Sequence, residues 1–202
     1  SVLPPEVLIG GCEEPRAAWQ MADKLDVACT VPGGITRTLQ ERYRRAGHQL
    51  WAYNGSGPLH SGRNPHMMRY LTGVWRFKTR VPVYLSWCYG DAVVDAEGQP
   101  PQAKPTWEGF REGTVDYRVL RELEQALADH PDHPLANEAS MWLQRLLDKT
   151  DMDPDRYCTL RAPEYMDAVS YVDSMPPVTD FPAIRQWAGY YTAKLMGGEQ
   201  RW

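Results

Sequence analysis

The residues best suited to chemistry stand at the ends of two apolar runs. Along 48–53, Trp51 and Tyr53 alternate in an extended pattern that breaks at Asn54 and Gly55. Along 81–89, Leu85, Trp87 and Tyr89 repeat the alternation. Side chains two positions apart project from the same face of a strand, so each run carries a row of large groups up to a polar loop. An indole or phenol ring offers an apolar face to the C–H-rich side of a pyranose. The tyrosine hydroxyl and the Asn54 amide can hydrogen-bond to sugar hydroxyls. Trp51, Tyr53, Asn54, Trp87 and Tyr89 are therefore the candidate saccharide contacts. The competing account is that these rings fill interior layers, as bulky side chains do in any eight-stranded barrel, and Leu85 is expected to do so.

Composition narrows the choice of partner. The 202 residues hold 8 Trp and 11 Tyr against 3 Phe, an excess of amphipathic rings that suits a half-wet cleft or a large core. A net charge of -4 supplies no basic field, so nucleic acid is not an expected partner. No apolar run approaches the roughly 20 residues that span a bilayer, so no membrane partner is expected either. Cys12, Cys29, Cys88 and Cys158 lie far apart without a C-x-x-C, which argues for four buried or partly buried thiols rather than a disulfide scaffold or a zinc site. His48, His60 and His66 lack ligand spacing. Gly33-Gly34-Ile35-Thr36 could hold an anion at a helix start, but without a P-loop lysine it reads as a turn. No cofactor is expected. The chain opens Ser1-Val2-Leu3-Pro4-Pro5, without Met or a leader pattern, and is expected to be a processed product or part of a longer protein.

The elements that must position the rings alternate. Apolar runs at 7–11, 27–31, 48–53 and 81–89 predict strands. Between and after them, apolar residues recur at helical spacing. The first set is Ala18, Met21, Ala22 and Leu25; the second is Leu39, Tyr43 and Ala46, ended by Gly47. Met68, Leu71, Val74 and Trp75 follow an Asn64-Pro65 start. Tyr117, Leu120, Leu123 and Leu127 come after a long polar loop. This β-α alternation predicts a parallel sheet covered by helices, with sites at the carboxyl ends of its strands. A breaker-rich stretch at 128–134 leads to an amphipathic helix carrying Leu135, Ala139, Trp142, Leu143, Leu146 and Leu147. A loose segment, 151–178, precedes a final helix with Phe181, Ile184, Trp187, Tyr191 and Leu195, capped near Thr179 or Asp180. Both helices are expected on the outside of the α/β unit.

The segment 105–120, PTWEGFREGTVDYRVL, continuing to Leu123-Glu124, resembles the W-E-x-x-R-E-G-x-x-D-Y-R-Y-L-x-x-L-E stretch of glycosidase-like barrels. These are the glycoside hydrolase family 123 type enzymes and related families of unassigned function. Trp51-Ala52-Tyr53-Asn54 resembles their W-x-Y-N strand, and 83–89 resembles their last strand, G-x-x-x-W-x-Y. Arg69, Gly73, Trp75 and Lys78-Thr79 resemble, in order though not in every spacing, the Arg, Gly, Trp and Lys-Thr of the helix between them. The likeness spans roughly residues 6–147, with the Arg-Glu-Gly-x-x-Asp-Tyr-Arg stretch as its specific part.

The resemblance implies that residues 1–128 are the carboxyl-terminal half of a (β/α)8 barrel, strands five to eight, and that 129–202 is a helical extension packed on it. It implies hydrolysis of a β-linked N-acetylhexosamine, assisted by the substrate's acetamido group, in a protein that carries the family's Asp-Glu-Pro pair. Glu13-Glu14-Pro15 is the nearest match here. Adjacent carboxylates at a strand end could act as a general acid and an orienting partner. They equally suit the first turn of a helix, where the macrodipole favours negative charge. Only three strands follow them, one too few for the family's catalytic strand, so the acid pair is expected upstream of Ser1 and the isolated chain is expected to be inactive. Glu112 shares a helix face with Asp116, four residues on, near Arg111 and Arg118; an ion-pair cluster and a substrate contact are both open to it. A half barrel would leave two open sheet edges, through which the chain would self-associate or meet its missing half. The alternatives are a non-catalytic carbohydrate-binding or assembly module and a self-contained small α/β domain.

Overall fold

A computed structural model describes residues 10–12, 15–54, 65–86, 93–94, 102–103, 105–150 and 180–198. Strands β1 (Gly10–Cys12), β2 (Val27–Thr30), β3 (Gln49–Asn54) and β4 (Tyr84–Ser86) form one parallel sheet in the order β1-β2-β3-β4. The predicted alternation of strands and helices is therefore present. Spatial order follows chain order throughout this sheet, with no reversal. Crossovers between parallel strands are right-handed almost without exception, so a sheet that grows in one direction receives its connecting helices on one face.

Helices α1 (Pro15–Gln20), α2 (Arg37–Ala46), α3 (Pro65–Tyr70) and α4 (Arg76–Thr79) lie between the strands. A π-helical turn, Leu71–Trp75, joins α3 to α4. Thr36 caps α2 by accepting from the Leu39 amide at 3.2 Å, and Gly47, at φ 77°, ends it in the left-handed region that its lack of Cβ permits. Leu39 and Tyr43 are buried as their spacing predicts, and the Tyr43 hydroxyl donates to the Ala18 carbonyl at 2.7 Å, pinning α2 to α1. The first helix stops at Gln20, short of the predicted Leu25, yet Ala22 and Leu25 remain buried in the turns that follow. The loop after β4 holds a two-residue antiparallel pair, β5 (Val93–Val94) and β6 (Gln102–Ala103). Pairs so short carry no sequence period, and the loop gave no sign of them.

Helix α5 (Pro105–Asp129) carries the most distinctive stretch of the sequence, and its glycines explain part of that stretch. Gly109 and Gly113 sit one turn apart against α3. A Cβ at Gly109 would overlap the Pro65 carbonyl, and one at Gly113 would lie 2.5 Å from the Arg69 carbonyl oxygen. Gly73, in the π turn, faces Gly113 from the other side, its would-be Cβ 3.1 Å from the Gly113 carbonyl oxygen. Backbones meet here at a separation that only glycine allows. Trp75 and Phe77 are fully buried beside them.

Helices α6 (Ala136–Lys149) and α7 (Phe181–Leu195) complete the layer. Asp180 caps α7, accepting from the Ala183 amide at 3.2 Å, as expected. The Lys78 ammonium donates to the Leu147 carbonyl at 2.6 Å and to the Thr150 carbonyl, closing the carboxyl end of α6. Leu143, Leu146, Ile184, Ala188 and Tyr191 join the same hydrophobic cluster as Leu50, Trp75 and Leu120. The carboxyl-terminal helices thus share one core with the helices that cover the sheet.

Gly113→Ala should lower stability by about 1–3 kcal/mol through overpacking. Urea unfolding should show this as a lower midpoint with unchanged slope; a midpoint equal to the parent's would contradict the close approach of α3 and α5.

Candidate functional site

The two faces of the sheet differ in what covers them. Ala28, Leu50, Ala52 and Tyr84 point into the core cluster beneath the helices. Tyr84 meets Trp75 of the π turn and Phe110 of α5 edge-on, with ring centroids 6.5 and 6.1 Å apart. Residues alternating with these lie on the opposite face: Cys12, Val27, Cys29, Gln49, Trp51, Tyr53 and Leu85. Val27 and Cys29 are buried but stand outside that cluster. Trp51 and Tyr53 are half-buried, and Leu85 is 38% exposed, so Leu85 does not fill an interior layer as expected.

Register brings specific side chains into rows across this face. Cys12 stands opposite Cys29, and Cys29 opposite Trp51. Tyr53 stands opposite Leu85 one layer nearer the carboxyl ends. The Trp51 indole N–H donates to the Gln49 side-chain oxygen at 2.9 Å, an interaction that two same-face residues of one strand can make. Asn54 ends β3 opposite Ser86 of β4. The structure therefore joins Trp51 and Tyr53 on one half-buried face, while Asn54 falls at the alternate register position with Leu50 and Ala52. Glu13, Glu14, Trp87 and Tyr89 lie outside the described residues. None of the described strand residues on this face is acidic.

Glu112 occupies a different place. In the helical layer, Asp116 of α5 is 1% exposed and takes a bidentate pair from Arg69 of α3, at 2.6 and 3.1 Å. Arg185 of α7 donates to the same carboxylate at 2.9 and 2.7 Å. Glu112, one turn earlier, pairs with Arg185 at 2.8 Å and Arg111 at 2.6 Å, and lies 4.0 Å from Arg69. The hydrogen bond from Arg185 is the chief reason that the Glu112 carboxyl is held below its ordinary value, despite partial burial. A buried carboxylate between two guanidiniums has its charge compensated at close range, and the arrangement ties three helices together. The shared helix face of Glu112 and Asp116 is as expected, but their partners Arg69 and Arg185 come from distant elements, and Arg118 is exposed.

Arg76 and Arg80, at the two ends of α4, also act in packing. Arg76 donates to the Val81 carbonyl at 3.2 Å and lies over the Tyr117 ring, 4.1 Å from its centre. Arg80 pairs with Glu124. Sequence reasoning missed the Cys12–Cys29 pair; the spacing of Cys12 after Gly10 and of Cys29 after Val27 was its only signal.

No family model, curated protein or solved structure matches the chain. Among the described residues no group of three or more His, Cys, Asp or Glu could hold a metal ion, and no helix is long and apolar enough to cross a membrane.

Asp116→Ala should destabilise by about 3–5 kcal/mol because it leaves two guanidiniums without their buried partner. Glu112→Gln should cost about 1 kcal/mol or less. The Glu112 contribution should be complete above pH 4.5, its ordinary value, and fade as pH falls through the lower folded value. Denaturant midpoints of parent and Glu112→Gln should therefore converge in acid; a gap that widens in acid would contradict the ion pair.

Proposed function

We propose that this chain is a carbohydrate-binding unit of glycosidase type. In this reading its four strands belong to a (β/α)8 cylinder, and the carboxyl-terminal rim of the face opposite the helices meets a saccharide. The observation that carries it is the placement of Trp51 and Tyr53. Both project from the face opposite the helical core cluster, toward the carboxyl ends of parallel strands, where α/β folds place ligands. Strand order without reversal supports the cylinder reading over a doubly wound sheet, whose order turns back at its ligand site. The sequence likeness of 105–120 and 51–54 to glycosidase-like barrels points to a β-linked amino sugar as the ligand.

Ring stacking on a sugar contributes on the order of 1 kcal/mol per aromatic residue. Calorimetric titration with β-linked N-acetylhexosamine oligosaccharides should show weak binding. Trp51→Ala and Tyr53→Ala should each weaken it about fivefold to tenfold. Unchanged affinity in both variants would contradict the site. Hydrolysis is assigned to residues outside this chain. Turnover of an aryl N-acetylhexosaminide by the purified chain, lost on Glu13→Gln or Glu14→Gln, would contradict that assignment.

A complementary sheet is the second partner proposed. Among the described residues β1 and β4 each have a strand on one side only, which leaves backbone donors and acceptors for pairing. Sedimentation velocity should show self-association that rises with concentration; a monomer at every concentration would count against the cylinder and favour a self-contained α/β domain.

A further inference from the structure

We propose that Cys12 and Cys29 form a reactive dithiol, closed to a cross-strand disulfide by exchange with a low-molecular-weight disulfide. The two residues are direct register partners on adjacent parallel strands, and both project from the sheet face opposite the helical core cluster. Neighbouring strands lie about 4.8 Å apart, inside the Cα separation that a disulfide spans. Burial first, and then the neighbouring Cys12, pushes the Cys29 thiol up to about 12. Cys12 is exposed and Cys29 is 4% exposed, so an incoming reagent reaches Cys12 first.

The chemistry balances in two exchanges. The Cys12 thiolate attacks one sulfur of the reagent disulfide, forming a mixed disulfide and releasing one thiolate. The Cys29 sulfur, having lost its proton to solvent, attacks Cys12 and expels the second. Two protein thiols are oxidised, and the reagent is reduced to two thiols.

Parallel register holds the two Cβ atoms at nearly the strand spacing, wider than the roughly 3.8 Å that a relaxed disulfide prefers. Closure must draw β1 toward β2, which is feasible because β1 is a three-residue strand paired on one side among the described residues. Strained, accessible disulfides are readily reduced, so this pair acts as a reversible switch rather than a permanent staple. Cys29 is the register partner of Trp51, and closure therefore alters the face that carries the indole.

Incubation of the chain with oxidised glutathione, followed by alkylation and peptide mapping, tests this. The expected product links the Cys12 and Cys29 peptides, has lost two hydrogens, and reverts with dithiothreitol. The same link should form in Cys88→Ser/Cys158→Ser, and Cys12→Ser should leave Cys29 unmodified. A stable glutathione adduct on Cys12, a link from Cys12 to another cysteine, or no reaction would each overturn the proposal. Mapping of the parent chain decides the matter if a variant fails to fold.

Discussion

Right-handed crossovers in a sheet that grows in one direction are the constraint on which the rest of the structure depends. Each new parallel strand is laid beside the last, so each connecting helix falls on the same side. The sheet then has one face packed under these helices and one face turned away from them. Alternation along β3 distributes its residues accordingly: Leu50 and Ala52 go to the helices, Trp51 and Tyr53 to the other side. A chain with this topology needs a ligand, a second sheet or large amphipathic side chains on its second face. Trp and Tyr suit that position because each joins an apolar ring to a polar atom.

The packed face is held by interactions between α5 and the helices packed against it. Gly109 and Gly113 let α5 approach α3 at backbone distance, and Asp116 then binds Arg69 and Arg185 across three helices. Lys78 ties the same layer to α6. The most distinctive residues of the sequence thus serve assembly of the helical layer.

Local signals were legible where they rest on short-range physics. Gly47 ended α2 and Asp180 capped α7 because cap chemistry is decided within one turn. The strands of 27–30 and 49–54 were visible as apolar runs bounded by breakers. The clamp on Asp116 was half legible. Its helix face followed from spacing, but Arg69 and Arg185 lie 47 and 69 residues away, and no local pattern selects them over the nearer Arg118. The thiol pair was hidden for the same reason, since register between β1 and β2 is set by packing. Leu85 misled because its neighbours in the run suggested a packed row, whereas its own side chain is 38% exposed.

Hydroxyl-radical footprinting read by peptide mass spectrometry tests the two-faced sheet most directly. The account predicts oxidation of Trp51, Tyr53 and Leu85, silence at Tyr43, Trp75 and Tyr84, and protection of the first group by added N-acetylhexosamine oligosaccharide. Equal silence at both sets of residues, or labelling of Trp51 and Tyr53 that saccharide leaves unchanged, would contradict it.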